Sequence, residues 1–138
     1  MNLAAKVTAA FFDSHDIRYS MRGDDNEVIR VGFRAENKES VEILLFFSEK
    51  NDNVGIRSFD LCKVPEAKKP ALYELCSKLN DKYRWVKFYI DEDDNTITAA
   101  DDAVIQLDSC GEECLELVMR MCDIADEVYP EIMKTIWS

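Results

Sequence analysis

The groups with which this 138-residue chain could do chemistry are five cysteines, one histidine and 28 acidic residues. Cys110 and Cys114 lie four apart, so a helix would set both thiols on one face, as a metal site requires. Zinc needs two further ligands, and the sequence offers no Cys-x-x-Cys and only His15. The cysteines therefore read as buried, reduced side chains. Ser14-His15-Asp16 holds the three residue types of a nucleophilic triad, but adjacency in sequence does nothing to bring their reacting atoms together. It reads as a loop between a helix and a strand. Asp91-x-Asp93-x-Asn95 matches the first three ligand positions of a calcium loop, yet Thr96 stands where glycine is needed and Asp102 where glutamate is usual. A hairpin turn is the expectation there. Four isolated glycines make no phosphate cradle. No catalytic residue, metal site or cofactor is predicted.

The arginines carry a different signal. Arg18, Arg22, Arg30 and Arg34 fall on one face of the first hairpin by period-two counting, opposite Tyr19, Val31 and Phe33. Leu44 and Phe46 of the next strand join that face. In the expected register Glu42 lies near Arg34, and Leu44 and Phe46 lie near Gly32 and Arg30. Like charges across strands need an acidic answer. It comes either from Glu42 and solvent, or from a bound acidic segment of a protein partner or of a second copy. Arg18, Arg22, Arg30, Arg34, Leu44 and Phe46 are thus the hypothetical partner surface.

Charge is lopsided along the chain. Residues 1–90 hold 14 acidic and 15 basic residues; residues 91–138 hold 14 acidic and two basic, Arg120 and Lys134. The net charge of -11 makes a nucleic acid an unfavourable partner. With 47% hydrophobic residues the chain is no disordered polymer, and its longest apolar run, Ile43 to Phe47, is far short of the ~20 residues that cross a bilayer. The apolar stretch Val7 to Phe12 is too short for a secretory signal. One cytoplasmic domain over residues 1–138 is expected.

These side chains must be held by six strands and three helices. Leu3, Ala4, Val7, Ala10 and Phe11 predict a first helix. Alternation predicts strands at 17–22, 29–34, 41–47 and 54–63, a four-stranded antiparallel meander whose third member, apolar on both faces, should be the most buried. Leu72, Leu75, Cys76, Leu79 and Tyr83 mark a second helix with Pro70 in its first turn. Strands follow at 85–90 and from Thr96 to about Ala100, with 103–107 extending the latter beyond a break at Asp101-Asp102. Ser109-Cys110-Gly111-Glu112 reads as a capping box opening a long acidic helix that Pro130 should kink or interrupt. The apolar sector of that helix, which includes Leu115, Val118, Met119, Cys122 and Tyr129, is wider than one sheet face requires. Burial between the sheet and another helix explains it, as does a homodimer interface.

The stretch Leu79 to Asp91, with Leu79-Asn80 ending a helix and Lys87-Phe88-Tyr89-Ile90-Asp91 forming a strand before an acidic turn, resembles the YbjN-like family of bacterial proteins. The acidic helix with Tyr129-Pro130-Glu131-Ile132-Met133-Lys134 is also similar to the family's ending. The resemblance implies an α+β fold like that of type III secretion chaperones, in the order α-ββββ-α-ββ-α, and a role in sensory transduction; it supplies no catalytic residues. The functional expectation is a non-enzymatic protein-binding module, chaperone-like or regulatory, acting on a protein partner or on itself as a homodimer. The alternative is a small-molecule- or metal-dependent enzyme using the acidic C-terminal third.

Overall fold

The computed structural model describes all 138 residues. Helix α1 (Leu3–Ser14) leads into strands β1 (Tyr19–Arg22), β2 (Val28–Arg34), β3 (Ser40–Phe47) and β4 (Asn53–Ser58). Helix α2 (Lys69–Lys82), strands β5 (Lys87–Asp91) and β6 (Thr96–Val104), and helix α3 (Cys110–Trp137) complete the chain. The six strands form one antiparallel sheet in the order β1-β2-β3-β4-β6-β5. This is the α+β arrangement, in the order α-ββββ-α-ββ-α, that the sequence led us to expect.

All three helices lie on one face. Ile29, Val31, Val41, Ile43, Leu45, Val54, Ile56, Phe88 and Ala99 point inward beneath them and are buried. Leu72, Leu75 and Leu79 of α2 meet this layer, as do Cys114, Leu117, Val118, Met121, Ala125 and Val128 of α3. The wide apolar sector of α3 is explained within the chain, because α3 packs on α1 as well as on β3, β4, β6 and α2. Met119 is the member of that sector left exposed.

Polar side chains fix how the elements meet. Asn2 caps α1 by accepting from the Ala5 N–H at 2.9 Å, and its amide donates to the Ser48 carbonyl at 2.9 Å. Asn80, the asparagine of the Leu-Asn pair, accepts from the Phe88 N–H at 2.7 Å and donates to the Phe88 carbonyl at 3.0 Å. It thereby satisfies the edge-facing backbone groups of Phe88 on β5, an outer strand whose open edge is a pairing hazard. Asp126 of α3 reaches the β2–β3 turn, accepting from the N–H groups of Asn37 and Lys38 at 2.8 Å each and of Glu36 at 3.2 Å.

Five local expectations need correction. β3 alternates buried and open residues because helices cover only one face of the sheet, whereas β6 is more enclosed, with Thr96 and Thr98 buried on the other face as well. β6 also runs unbroken through Asp101 and Asp102, since β4 pairs with it along its whole second half. β4 ends at Ser58 rather than 63; Lys63 makes only an isolated bridge to Thr96. α3 is not interrupted at Pro130 but runs on to Trp137. At its start Ser109 makes no capping bond to backbone; its hydroxyl donates to Glu113, not Glu112, at 3.2 Å, and Glu113 also accepts from the Gln106 N–H at 2.9 Å.

Candidate functional site

On β1, β2 and β3 the residues of the sheet face opposite the helices are exposed or half-buried. Period-two alternation puts Ser20, Arg22, Arg30, Gly32, Arg34, Glu42, Leu44, Phe46 and Arg57 on that side. The register differs by two residues from expectation. Glu42 stands opposite Gly32, Leu44 opposite Arg30 and Phe46 opposite Val28, because the β2–β3 turn closes with the Ala35 N–H donating to the Glu39 carbonyl at 3.3 Å. A slip of two preserves the parity of every side chain, so the face keeps its composition.

Within the face, Arg30 is paired with Glu42. Arg30 is the main reason the Glu42 carboxyl is held below its ordinary range; partial burial opposes this, and Arg22 and Lys38 add to it. Arg57, which lies across from Leu44, pairs with Asp102 at 2.9 Å. Arg18 and Arg22 are exposed and make no ion pair. Phe46 remains 38% exposed and packs edge-on against Phe59, with ring centres 6.2 Å apart. A hollow of about 480 Å³ opens here, lined by Arg22, Lys38, Glu42, Leu44 and Phe59 among others.

Of the six residues singled out in the sequence, Arg22 and Leu44 line this hollow, and Arg30 and Phe46 adjoin it through Glu42 and Phe59. Arg18 lies one strand away, beside Arg30 and Gly32. Arg34 is not part of the cluster. It lines a separate depression with Asp123, Asp126 and Glu127 of α3. Lys38, Arg57 and Phe59 belong to the face but were missed; the outward parity of Arg57 in β4, continued by Phe59 just beyond its end, was the available signal.

The other chemical candidates resolve locally. Ser14 Oγ lies 3.0 Å from His15 Nδ1, but both bond to the Phe11 carbonyl at the exposed end of α1, where His15 stacks on Phe11 at 4.0 Å. Asp91 accepts from the Asp93 N–H at 3.0 Å and Thr96 donates to Asp94 at 2.7 Å, forming a hairpin turn in which Asn95 adopts φ 54°. All five cysteines are free thiols, four of them buried.

The fold is shared with other proteins. Residues 5–133 match the family YbjN, described as "Putative bacterial sensory transduction regulator". The chain belongs to the YbjN family. Among solved structures, this YbjN-family chain is similar to "YbjN, a putative transcription regulator from E. coli", with a TM-score of 0.65 and 10% identity over 91% of each chain. It is also similar to a chain of the ExsC-ExsE complex, with a TM-score of 0.54 and 14% identity over 91% of this chain and 90% of that one. At such identities the likeness is one of fold. No curated protein matches the sequence. No helix of the YbjN-family chain is long and apolar enough to cross a membrane.

Proposed function

We propose that residues 1–138 form a single non-enzymatic, protein-binding domain of chaperone-like or regulatory type, and that its open sheet face receives an acidic segment of a partner protein. The observation that carries this reading is the face itself: unpaired Arg22 beside Leu44, Phe46 and Phe59, with Arg18 one strand away, on the side of the sheet that no helix covers. Arginine and aromatic side chains together are what the centres of protein interfaces favour. The acidic sense of the partner follows from Arg18 and Arg22, which are exposed and make no ion pair. Membership of a family described as regulatory supports the reading, as does structural likeness to a protein solved in a two-protein complex. Five free thiols fit a reducing cytoplasm.

The test uses the full chain as bait in a lysate of its native cell, at low and moderate salt. The double variant Arg22→Glu, Phe46→Ser should lose at least about tenfold in affinity for the recovered partner, and binding should weaken as salt rises. Met119→Ser, on the helix side, should bind as the wild type does. A partner retained equally by the double variant at both salts overturns the reading. Self-association, followed by sedimentation, distinguishes a second copy from a foreign partner.

A further inference from the structure

On the helix side, β6 outruns its edge neighbour. β5 pairs with it only as far as Lys87 opposite Ala100, while β6 continues along β4 to Val104. Residues 101–104 therefore have no strand beside them on the β5 side. Trp85 stands next to this gap, at φ 74°, and is 58% exposed. Arg120 of α3 places Cζ 4.7 Å from the centre of the Trp85 ring and donates to Glu116 at 2.9 Å. A hollow of about 360 Å³ lies here, lined by Trp85, Val104, Leu117 and Asp101 among others.

Asp101 is the unexplained group. It is only 8% exposed, and its Oδ2 is fully buried without a hydrogen-bond partner. Every other carboxylate of the lining is answered: Asp102 by Arg57, Glu116 by Arg120, and Glu113 by the Gln106 N–H and the Ser109 hydroxyl. Arg120 acts on Asp101 through its field but makes no hydrogen bond to it. A buried acceptor left unmade is costly, and a donor entering the hollow would remove that cost. The lining holds four carboxylates against one arginine, so the favoured donor is positive. No three carboxyl or thiol groups converge to hold a metal ion, whereas the indole ring and the Val104 and Leu117 side chains suit an aliphatic stem with a cationic head.

We propose that this hollow binds an organic cation, a guanidinium or primary ammonium group on an aliphatic stem, with the Asp101 carboxylate, turned to bring Oδ2 to the hollow, as its acceptor and Trp85 as its wall. Arg120 on the Trp85 ring displays the same recognition chemistry with the chain's own guanidinium. The site is separate from the open sheet face, so its failure would leave the proposed function standing.

Calorimetric titration of the full chain with agmatine, and separately with the tripeptide amide Gly-Arg-Gly, tests the proposal. At least one probe should saturate the protein with one-to-one stoichiometry. Tighter binding of agmatine assigns the site to a free amine, and tighter binding of the peptide assigns it to a basic side chain of a protein. Asp101→Asn should weaken the preferred probe at least about tenfold, a loss of about 1.4 kcal/mol. Trp85→Asn, which removes the ring at a position where asparagine tolerates positive φ, should weaken it too. Arg22→Glu on the opposite face should leave it unchanged. Absence of saturable binding for both probes, or equal binding by Asp101→Asn and wild type, overturns the proposal.

Discussion

Single atoms buried without partners set the residue-scale expectations. Thr98 is fully buried and its Oγ1 makes no hydrogen bond, so the near-isosteric Thr98→Val should raise stability by ~1 kcal/mol, read as the urea midpoint. Two aspartates titrate in opposite senses. Burial raises the Asp101 carboxyl, which makes the folded state hold its proton longer than the unfolded one; stability from this group falls as pH rises through its folded pKa. Asp101→Asn should flatten that fall. Burial also pushes Asp126 upward, but the N–H groups of Lys38, Asn37 and Glu36 outweigh it and hold the carboxyl below its ordinary range. Its contribution is complete above about pH 4 and is lost as pH falls through the lower folded pKa. Asp126→Ala should cost ~1 kcal/mol at pH 7, allowing for exposure to solvent, and should remove the acid-side loss. Among the thiols, burial pushes Cys62 and Cys76 up to about 11 and Cys114 up to about 12. A thiol reagent at pH 7.5 should thus label the native protein slowly, Cys62 first, and reach five thiols in denaturant.

At the scale of elements, neighbours in one strand separate core from surface. Leu45 is fully buried beneath the helices, whereas Phe46 is on the open side. Leu45→Ala should cost ~2–5 kcal/mol in chemical denaturation, and Phe46→Ser less than about 1 kcal/mol. Leu75 and Leu79 of α2 should behave like Leu45, because both face the sheet. The α1–α3 contact is equally tight. A methyl group at Gly111 would collide with Cβ and Cγ of Phe11, close to that residue's backbone, so no flexible tip can move aside. Gly111→Ala should destabilise by ~1–3 kcal/mol through overpacking, with a fall in melting temperature as the readout.

Over the whole molecule, charge and layering are coupled. The acidic third of the sequence becomes β6, α3 and their flanking turns, while Arg18, Arg22 and Arg30 lie on the far side of the sheet from α3. The chain carries -11 overall, so self-repulsion opposes the compact state. Raising sodium chloride from about 20 to about 200 mM should raise the melting temperature by a few degrees, and a fall would mean that ion pairs such as Arg57–Asp102 outweigh the repulsion.

The order of elements was legible in the sequence because each obeys a local period: leucines at three and four residues along α2, alternation along β2, turn residues at Asp93-Asp94-Asn95. Parity was legible for the same reason, and it placed Arg22, Arg30, Leu44 and Phe46 on one face even though the β2–β3 register differed by two. Only the tertiary structure decided that helices cover one side of the sheet, which leaves β3 half open and makes Asp101 a buried strand residue rather than a break. Arg34 was lost from the cluster because α3 brings Asp123, Asp126 and Glu127 beside it, a long-range approach with no local period. The Trp85–Arg120–Asp101 hollow was invisible for that reason too: its three side chains come from a loop, a helix and a strand, and converge only because β5 stops short of the end of β6.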